Sequence, residues 1–366
     1  MIRVLLADLE RVWRGGQEQA FFLMKGLKLR GHGAELIAVK NSAIASRAEA
    51  ACIRVHAIPD AGRRTGAAWQ LRGLLREKRF DIVYANEAHA LTAAWLARTH
   101  RRVPLVAARR VVFPLSRRRL ALARYRAASR ILAISQAVRN NLLAGGLDAN
   151  RIAVVPDGVE IPAAITPEAR ENARTRWGFR PDETVIECVG ALTPEKGHTL
   201  LIDAFAKLRR DVANCRLLLA GEGRLRGQLE RQAREAGLGA AIVFAGFVPD
   251  VESVYAAGDL FAFPSLSEGA GSSLLRAMAY GLPVVAFAGG GVTEIIEDGR
   301  NGILVQEANP QKLAWAAAGL LGEPELRQQL AQAARETIAD RYSAERMVSG
   351  TIHIFEELIA HEAVSK

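Results

Sequence analysis

Three cysteines in 366 residues, Cys52, Cys188 and Cys215, are too few and too widely spaced for a disulfide framework or a zinc site. They point to a reducing compartment and read most simply as small core residues. Aromatic residues make up only 6% of the chain. No run of about 18 uninterrupted apolar residues occurs, so no membrane span is expected. The first apolar run, Val4 to Ala7 after Arg3, meets Asp8 and Glu10 at once, which is too short for a signal peptide. No fixed short repeat is present, and a solenoid is excluded. Ala7-Asp8-Leu9-Glu10 after the first strand candidate lacks any Gly-x-Gly-x-x-Gly, which disfavours a dinucleotide dehydrogenase.

The most telling absence is local. The 60 residues between Glu87 and Asp148 hold twelve arginines, no lysine and no acid. Residues 1–147 carry 27 basic residues against 9 acids, while residues 148–366 carry 22 against 30. One half is strongly basic and the other mildly acidic, so an anionic partner is expected on one side. Apolar residues at 50% and charged ones at 24% fit a soluble globular protein, and the length suggests two domains.

Strand and helix signals alternate, which predicts parallel sheets covered on both faces. Strands are expected at 2–7, 35–39, 81–85, 105–108, 131–134 and 152–155. Helices are expected at 17–29, 69–78, 91–98 and 117–128. Residues 157–181 carry Pro156, Pro162, Pro167 and Gly158 in or beside them and read as a linker or connecting helix. Strands restart at 184–189, 216–220, 242–245, 260–263, 284–286 and 302–305. Helices are expected from His198, Leu225 and Ser272, and the pattern is purely helical from Pro310. The architecture predicted is α/β, with two successive Rossmann-like halves.

Ligands bind open parallel sheets beyond the C-terminal strand ends. Gly15-Gly16-Gln17-Glu18 follows the first strand, and two glycines at a helix start allow an anion to approach the backbone; a plain loop fits as well. Gly190 opens the loop that carries Glu195-Lys196-Gly197, with Lys196 just ahead of a helix. Gly221-Glu222-Gly223 ends the next strand. Most informative is Pro264-Ser265-Leu266-Ser267-Glu268-Gly269-Ala270-Gly271-Ser272-Ser273-Leu274-Leu275-Arg276. Here the amides of Gly271 to Leu274 are expected to point into the crevice as a diphosphate cradle with one carboxylate, Glu268, in front of it; tight turns of an α/β sheet are the alternative for these blocks. Ala288-Gly289-Gly290-Gly291 repeats the strand, glycine, helix arrangement.

With Val155-Pro156-Asp157-Gly158-Val159, Ala277-Met278-Ala279-Tyr280-Gly281-Leu282-Pro283-Val284-Val285, and Asp298-Gly299-Arg300-Asn301-Gly302, these motifs resemble the retaining nucleotide-sugar glycosyltransferases of family 4. The resemblance covers nearly the whole chain. It implies the GT-B fold: two Rossmann-like domains facing across a deep cleft, with a C-terminal helix crossing back to the first. The implied domains are an acceptor-binding 1–157, joined by helix 345–366, and a donor-binding 158–344. It implies a UDP-type nucleotide-sugar donor, no cofactor and no metal. The acceptor implied is an envelope glycan or glycolipid at the cytoplasmic face of the membrane.

By the same resemblance, Glu268 and Lys196 are the catalytic pair: Glu268 holds the donor sugar and Lys196 the diphosphate. Gly15, Gly16, Gly190, Gly223, Ser267, Gly269, Gly271, Ser272, Ser273, Leu274 and Arg276 complete the donor site. Gln17, Glu18, Asn86, His89, Arg109 and Arg110 lie on the acceptor side; for His89 a surface role fits equally. Trp13 packs on an acceptor sugar or anchors its loop. Three positions depart from the family. Arg276 stands where a second glutamate usually holds the ribose, Ala191 where an arginine is common, and Arg109-Arg110 where a histidine is common. Arginine donates but cannot accept from a hydroxyl. Arg276 and Arg110 are expected to compensate with charge; the competing reading is a non-catalytic nucleotide-binding relative in a glycan assembly complex.

Residues 117–126 read as a basic amphipathic helix, with Arg117, Arg118, Arg119, Arg124 and Arg126 toward an anionic membrane surface. The alternative is a solvated face. No stacking pattern of aromatics accompanies these arginines, so nucleic acid is not expected.

Overall fold

In a computed structural model, the chain divides into two compact units, residues 1–158 with 344–366, and residues 159–343. The structure describes residues 1–77, 79–115 and 119–364. Arg117 and Arg118, assigned above to a membrane surface, lie outside the described residues.

The first unit runs β1 (Arg3–Asp8), α1 (Gly15–Leu29), β2 (Gly33–Val39), α2 (Ala43–Ala50), β3 (Arg54–Ile58), α3 (Arg63–Glu77) and β4 (Ile82–Ala85). It continues with α4 (Ala88–Leu96), β5 (Leu105–Arg109), α5 (Arg119–Arg126), β6 (Arg130–Ala133), α6 (Gln136–Ala144) and β7 (Ile152–Val154). Its sheet is fully parallel, in the order β3-β2-β1-β4-β5-β6-β7. Strand β1 is RVLLAD, nearly all buried, as a strand covered on both faces must be.

The second unit runs α7 (Pro167–Trp177), β8 (Thr184–Val189), α8 (His198–Asp211), β9 (Cys215–Ala220), α9 (Arg226–Glu235), β10 (Ile242–Gly246) and α10 (Glu252–Tyr255). It continues with β11 (Leu260–Phe263), α11 (Ser272–Ala279), β12 (Val284–Phe287), α12 (Val292–Ile295), β13 (Ile303–Val305), α13 (Pro310–Gly322) and α14 (Pro324–Arg341). Its sheet is parallel in the order β10-β9-β8-β11-β12-β13. The last helix, α15 (Ala344–Val364), belongs to the first unit. It packs on α1, and its Phe355 meets Tyr84 edge-on with ring centroids 6.1 Å apart.

Strand β3 and helices α2, α6 and the one-turn α10 escaped the sequence reading. Strand β3 is an edge strand, RVHAI, whose half-exposed residues give no apolar run. Helix α2, AIASRAEA, has little polar contrast between its faces and starts at Ser42, which accepts from the Ala45 amide at 3.4 Å. Helix α6 begins at Ser135, which accepts from the Val138 amide at 3.3 Å. The proline-rich segment 157–181 contains a true helix, α7, capped by Thr166 and with Pro167 at its first turn. Gly15 and Gly16 are the first two residues of α1 rather than a turn before it. Cys188 and Cys215 are buried as expected, but Cys52 is exposed, at a turn between α2 and β3.

Both sheets change direction once, between β1 and β4 and between β8 and β11. A crevice opens beyond the strand ends at such a reversal. The chemistry should therefore gather after β1 and β4 in one unit and after β8 and β11 in the other. No helix among the described residues is long and apolar enough to cross a membrane.

Candidate active site

In the second unit the loops after β8 and β11 interlock. The Leu266 amide donates to Glu195 O at 2.8 Å, and the Gly291 amide donates to Glu268 O at 3.0 Å. Gly197 has φ +69° and Gly290 has φ +55°. A Cβ on the first would collide with the Pro264 carbonyl oxygen, and on the second with that of Glu268. Each position therefore needs glycine twice, for its backbone angle and for the close approach. These contacts set Lys196, at the end of a 3-10 turn Pro194–Lys196, directly opposite Glu268. Lys196 Nζ donates to Glu268 Oε1, and Ser265 Oγ donates to the same oxygen at 2.9 Å. Their side chains are 25% and 12% exposed, so the pair sits at a mouth rather than in the core.

Three residues after Glu268, α11 begins at Gly271 with no side-chain cap. Its first outward ladder bond runs from the Leu275 amide to Gly271 O at 3.1 Å. The amides of Ser272, Ser273 and Leu274 therefore precede the ladder, where an anion is favoured. Gly190 borders Lys196 as well: its amide donates to Ala220 O at 2.9 Å, and a Cβ on it would stand 3.8 Å from Lys196 Cδ. Gly223 lies on the backbone of Leu192, in the loop that follows β8. Ser267 and Gly269 flank Glu268 in its loop, Ser267 partly exposed and Gly269 buried. Arg276 lies one turn further along α11, partly exposed, with its charge felt by the hydroxyls of Tyr255 and Tyr280.

His198 opens α8 next to this group and was not singled out in the sequence. Burial first, and Lys196 second, push its pKa down to about 4, so it is neutral at pH 7. Its Nε2 lies 3.7 Å from Cys188 Sγ. Burial pushes the Cys188 and Cys215 thiols up to about 12, which leaves both unreactive.

The first unit gathers a buried polar network at the ends of β1, β4 and β5. Asn86 Nδ2 donates to Asp8 Oδ2 at 2.6 Å and to Gly16 O at 2.9 Å, and Gln17 Nε2 donates to Asp8 Oδ2 at 2.9 Å. Arg110 donates from Nε to Asp157 at 2.9 Å, from Nη1 to Asn86 Oδ1 at 2.8 Å, and from Nη2 to Tyr84 at 3.2 Å. Burial pushes the Asp157 carboxyl up against the opposing pull of Arg110. Arg109 donates to Phe113 O at 2.7 Å and to the Tyr125 hydroxyl at 3.3 Å. Both arginines thus hold loops within the unit. Trp13 lies under the Arg47 guanidinium, 4.0 Å from its centroid, and edge-on to Phe21, which makes it a loop anchor.

Beside this network the structure brings together Glu10, Glu87 and His89, a group the sequence spacing did not reveal. Glu87 caps α4, accepting from the amides of His89 and of Ala90 at 2.7 Å, and reaches the Leu9 amide at 3.2 Å. Burial lifts its pKa to about 7. His89 Nδ1 accepts from Arg64 Nε at 2.8 Å, and its Nε2 faces Glu10 at 3.6 Å. Burial and then Arg64 and Arg63 lower the His89 pKa. Glu18 lies in the first turn of α1, partly exposed.

The chain's two units match two sequence families. Residues 13–161 match the profile described as Glycosyltransferase Family 4, and residues 169–337 that of Glycosyl transferases group 1. A D-inositol 3-phosphate glycosyltransferase of Salinispora arenicola is 31% identical over 314 residues, 77% of this chain and 69% of that protein. An uncharacterized glycosyltransferase of Methanocaldococcus jannaschii, MJ1607, is 32% identical over 212 residues, 57% of this chain and 54% of the relative. The chain spans about half the length of the first such relatives. Among solved structures, Anabaena Alr3699/HepE in complex with UDP and glucose superposes with a TM-score of 0.87 at 24% identity, covering 98% of this chain and all of that one. The chain belongs to glycosyltransferase family 4 and has the GT-B fold.

Proposed function

We propose that this protein transfers a sugar, with retention of configuration, from a nucleoside diphosphate donor to a glycan or glycolipid of the cell envelope. The observation that carries this reading is the contact of Lys196 with Glu268, three residues ahead of Gly271 and the uncapped start of α11. A diphosphate accepts from the Lys196 ammonium and the amides of Ser272, Ser273 and Leu274. Glu268, an acceptor only, takes hydrogen bonds from the hydroxyls of the donor sugar. As the bond between the anomeric carbon and the phosphate oxygen breaks, negative charge grows on the leaving diphosphate. Donors already aimed at that charge stabilise the transition state by ~3–4 kcal/mol each. This arrangement asks for no metal.

Similar structures support the substrate classes. Alr3699/HepE is bound to UDP and glucose, and WaaB is described as a lipopolysaccharide outer core galactosyltransferase. A UDP-type donor and a lipid-linked acceptor fit this chain on that basis. The strongly basic first unit then meets the anionic membrane that carries the acceptor.

A second reading, a nucleotide-binding relative without turnover, is favoured by one observation. The Arg110 guanidinium is committed to Asp157, Asn86 and Tyr84, so it does not replace a missing donor contact. A panel of nucleotide sugars, read as nucleoside diphosphate release with glycolipid extract present, separates the two. Release with one donor supports transfer. Tight nucleoside diphosphate binding without release from any donor overturns it.

A further inference from the structure

Helix α4 packs between α3 and α5, and the three form one layer on a single face of the first sheet. The buried positions of α3 are Ala67, Ala68, Leu71 and Leu74. Helical spacing then turns Trp69, Arg72 and Arg76 outward. Trp69 is 78% exposed, an unusual position for the largest apolar side chain on a helix that has a core to bury it in. Leu96 at the end of α4 and Leu120 at the start of α5 are exposed too, as is Phe113 in the loop that enters α5.

The polar surroundings of these residues are mainly basic, with Glu77 exposed at the end of α3. Between Asp60 and Asp148 the sequence holds only three acids, Glu77, Asp81 and Glu87. Glu87 is spent as the α4 cap, and Asp81 accepts from the Arg3 amide at 2.7 Å. Arg76, Arg98, Arg119 and Arg126 are exposed. Arg124, expected to face outward, instead crosses to Thr92 of α4 at 2.6 Å. Arg72 does the same from α3, donating to Leu96 O at 2.8 Å. These two arginines tie the layer into a plate, so its apolar groups are held in place before any partner arrives.

We propose that this α3–α4–α5 plate is a docking surface for an anionic lipid bilayer, with Trp69 as its apolar anchor. The proposal rests on the reading that the acceptor is membrane-borne and names the surface that meets the membrane. Indole is suited to the headgroup level, where one part of the ring is apolar and the other wet. Leucine and phenylalanine reach the acyl boundary, and arginine bonds lipid phosphate while its stem stays on the apolar surface. Nucleic acid fits less well, because the aromatic groups form no stacking row.

The test is flotation of the full chain with phosphatidylcholine vesicles, with and without phosphatidylglycerol. The wild type should float only with the anionic lipid, and less so as salt rises. Trp69→Gln should lower the bound fraction roughly tenfold, the loss of one interfacial aromatic anchor. Brominated acyl chains should quench part of the wild-type emission and none of it in Trp69→Gln. Unchanged thermal unfolding of Trp69→Gln rules out a folding defect. Equal flotation of both proteins, or no preference for the anionic vesicle, overturns the proposal. Nucleoside diphosphate release is read separately, with soluble components, so failure of docking and failure of transfer are distinguishable.

Discussion

Lys196 Nζ donates to the same Glu268 oxygen that accepts from Ser265 Oγ. The two side chains assigned to opposite ends of the donor, its diphosphate and its sugar, therefore hold each other. A bound diphosphate competes with Glu268 for the ammonium. Glu268→Gln removes that competitor without changing shape, so affinity for a free nucleoside diphosphate should rise severalfold in titration calorimetry. Transfer should fall by about 10²–10³, since the amide also donates where the sugar hydroxyls need an acceptor. Lys196→Met should lower both binding and turnover. Equal nucleoside diphosphate affinity in wild type and Glu268→Gln would show that the pair exerts no control.

The glycine framework and the order of strand ends were legible in the sequence because their signals are local: a β-branched run, a glycine loop, a helix start. That reading placed Gly190, Lys196, Glu268 and the start of α11 around one mouth. What escaped it depends on contacts between distant segments. Arg110 looks like a free cation until Asp157, 47 residues away, is folded against it. Arg124 has the spacing of an outward residue on α5, yet α4 lies within its reach. Glu87 reads as one acid in a loop, and only the close approach of Leu9 to the start of α4 makes it a three-amide acceptor.

Glu87 is consequently expected to matter for stability. Its carboxyl satisfies the Leu9, His89 and Ala90 amides together. Glu87→Ala should cost about 1–2 kcal/mol, the upper range for a lost helix cap. Urea unfolding followed by circular dichroism measures this. Glu87→Gln retains an acceptor oxygen and should cost less than half as much. A neutral result for Glu87→Ala would mean that water serves these amides equally well.

The Arg110–Asp157 pair makes a stronger prediction. Both side chains are mostly shielded, 15% and 11% exposed, and Arg110 also supports Asn86, which holds the Gly16 carbonyl. Removing one partner leaves the other charge without its counterpart. Arg110→Met should destabilise by about 3–5 kcal/mol, while Arg110→Met with Asp157→Leu should recover much of that loss. The coupling is read from the double-mutant cycle. Additive single effects would show that the two charges are held independently.

Glu187 gives the pH dependence. It lies on β8 with both carboxyl oxygens buried and without a hydrogen-bond partner. Burial pushes its pKa well above the usual 4.5, Asp259 adds to the shift, and Arg170 opposes it. In the folded chain it therefore keeps its proton after the unfolded chain has lost it. Above pH 4.5 the folded state binds the extra proton, so stability falls as pH rises, until the buried carboxyl itself ionises. The slope from this one group is at most ~1.4 kcal/mol per pH unit. Glu187→Gln has no proton to lose, and its urea midpoint should decline less than that of the wild type between mildly acidic and alkaline pH. Parallel midpoint curves for the two proteins would show that Glu187 is already ionised in the fold.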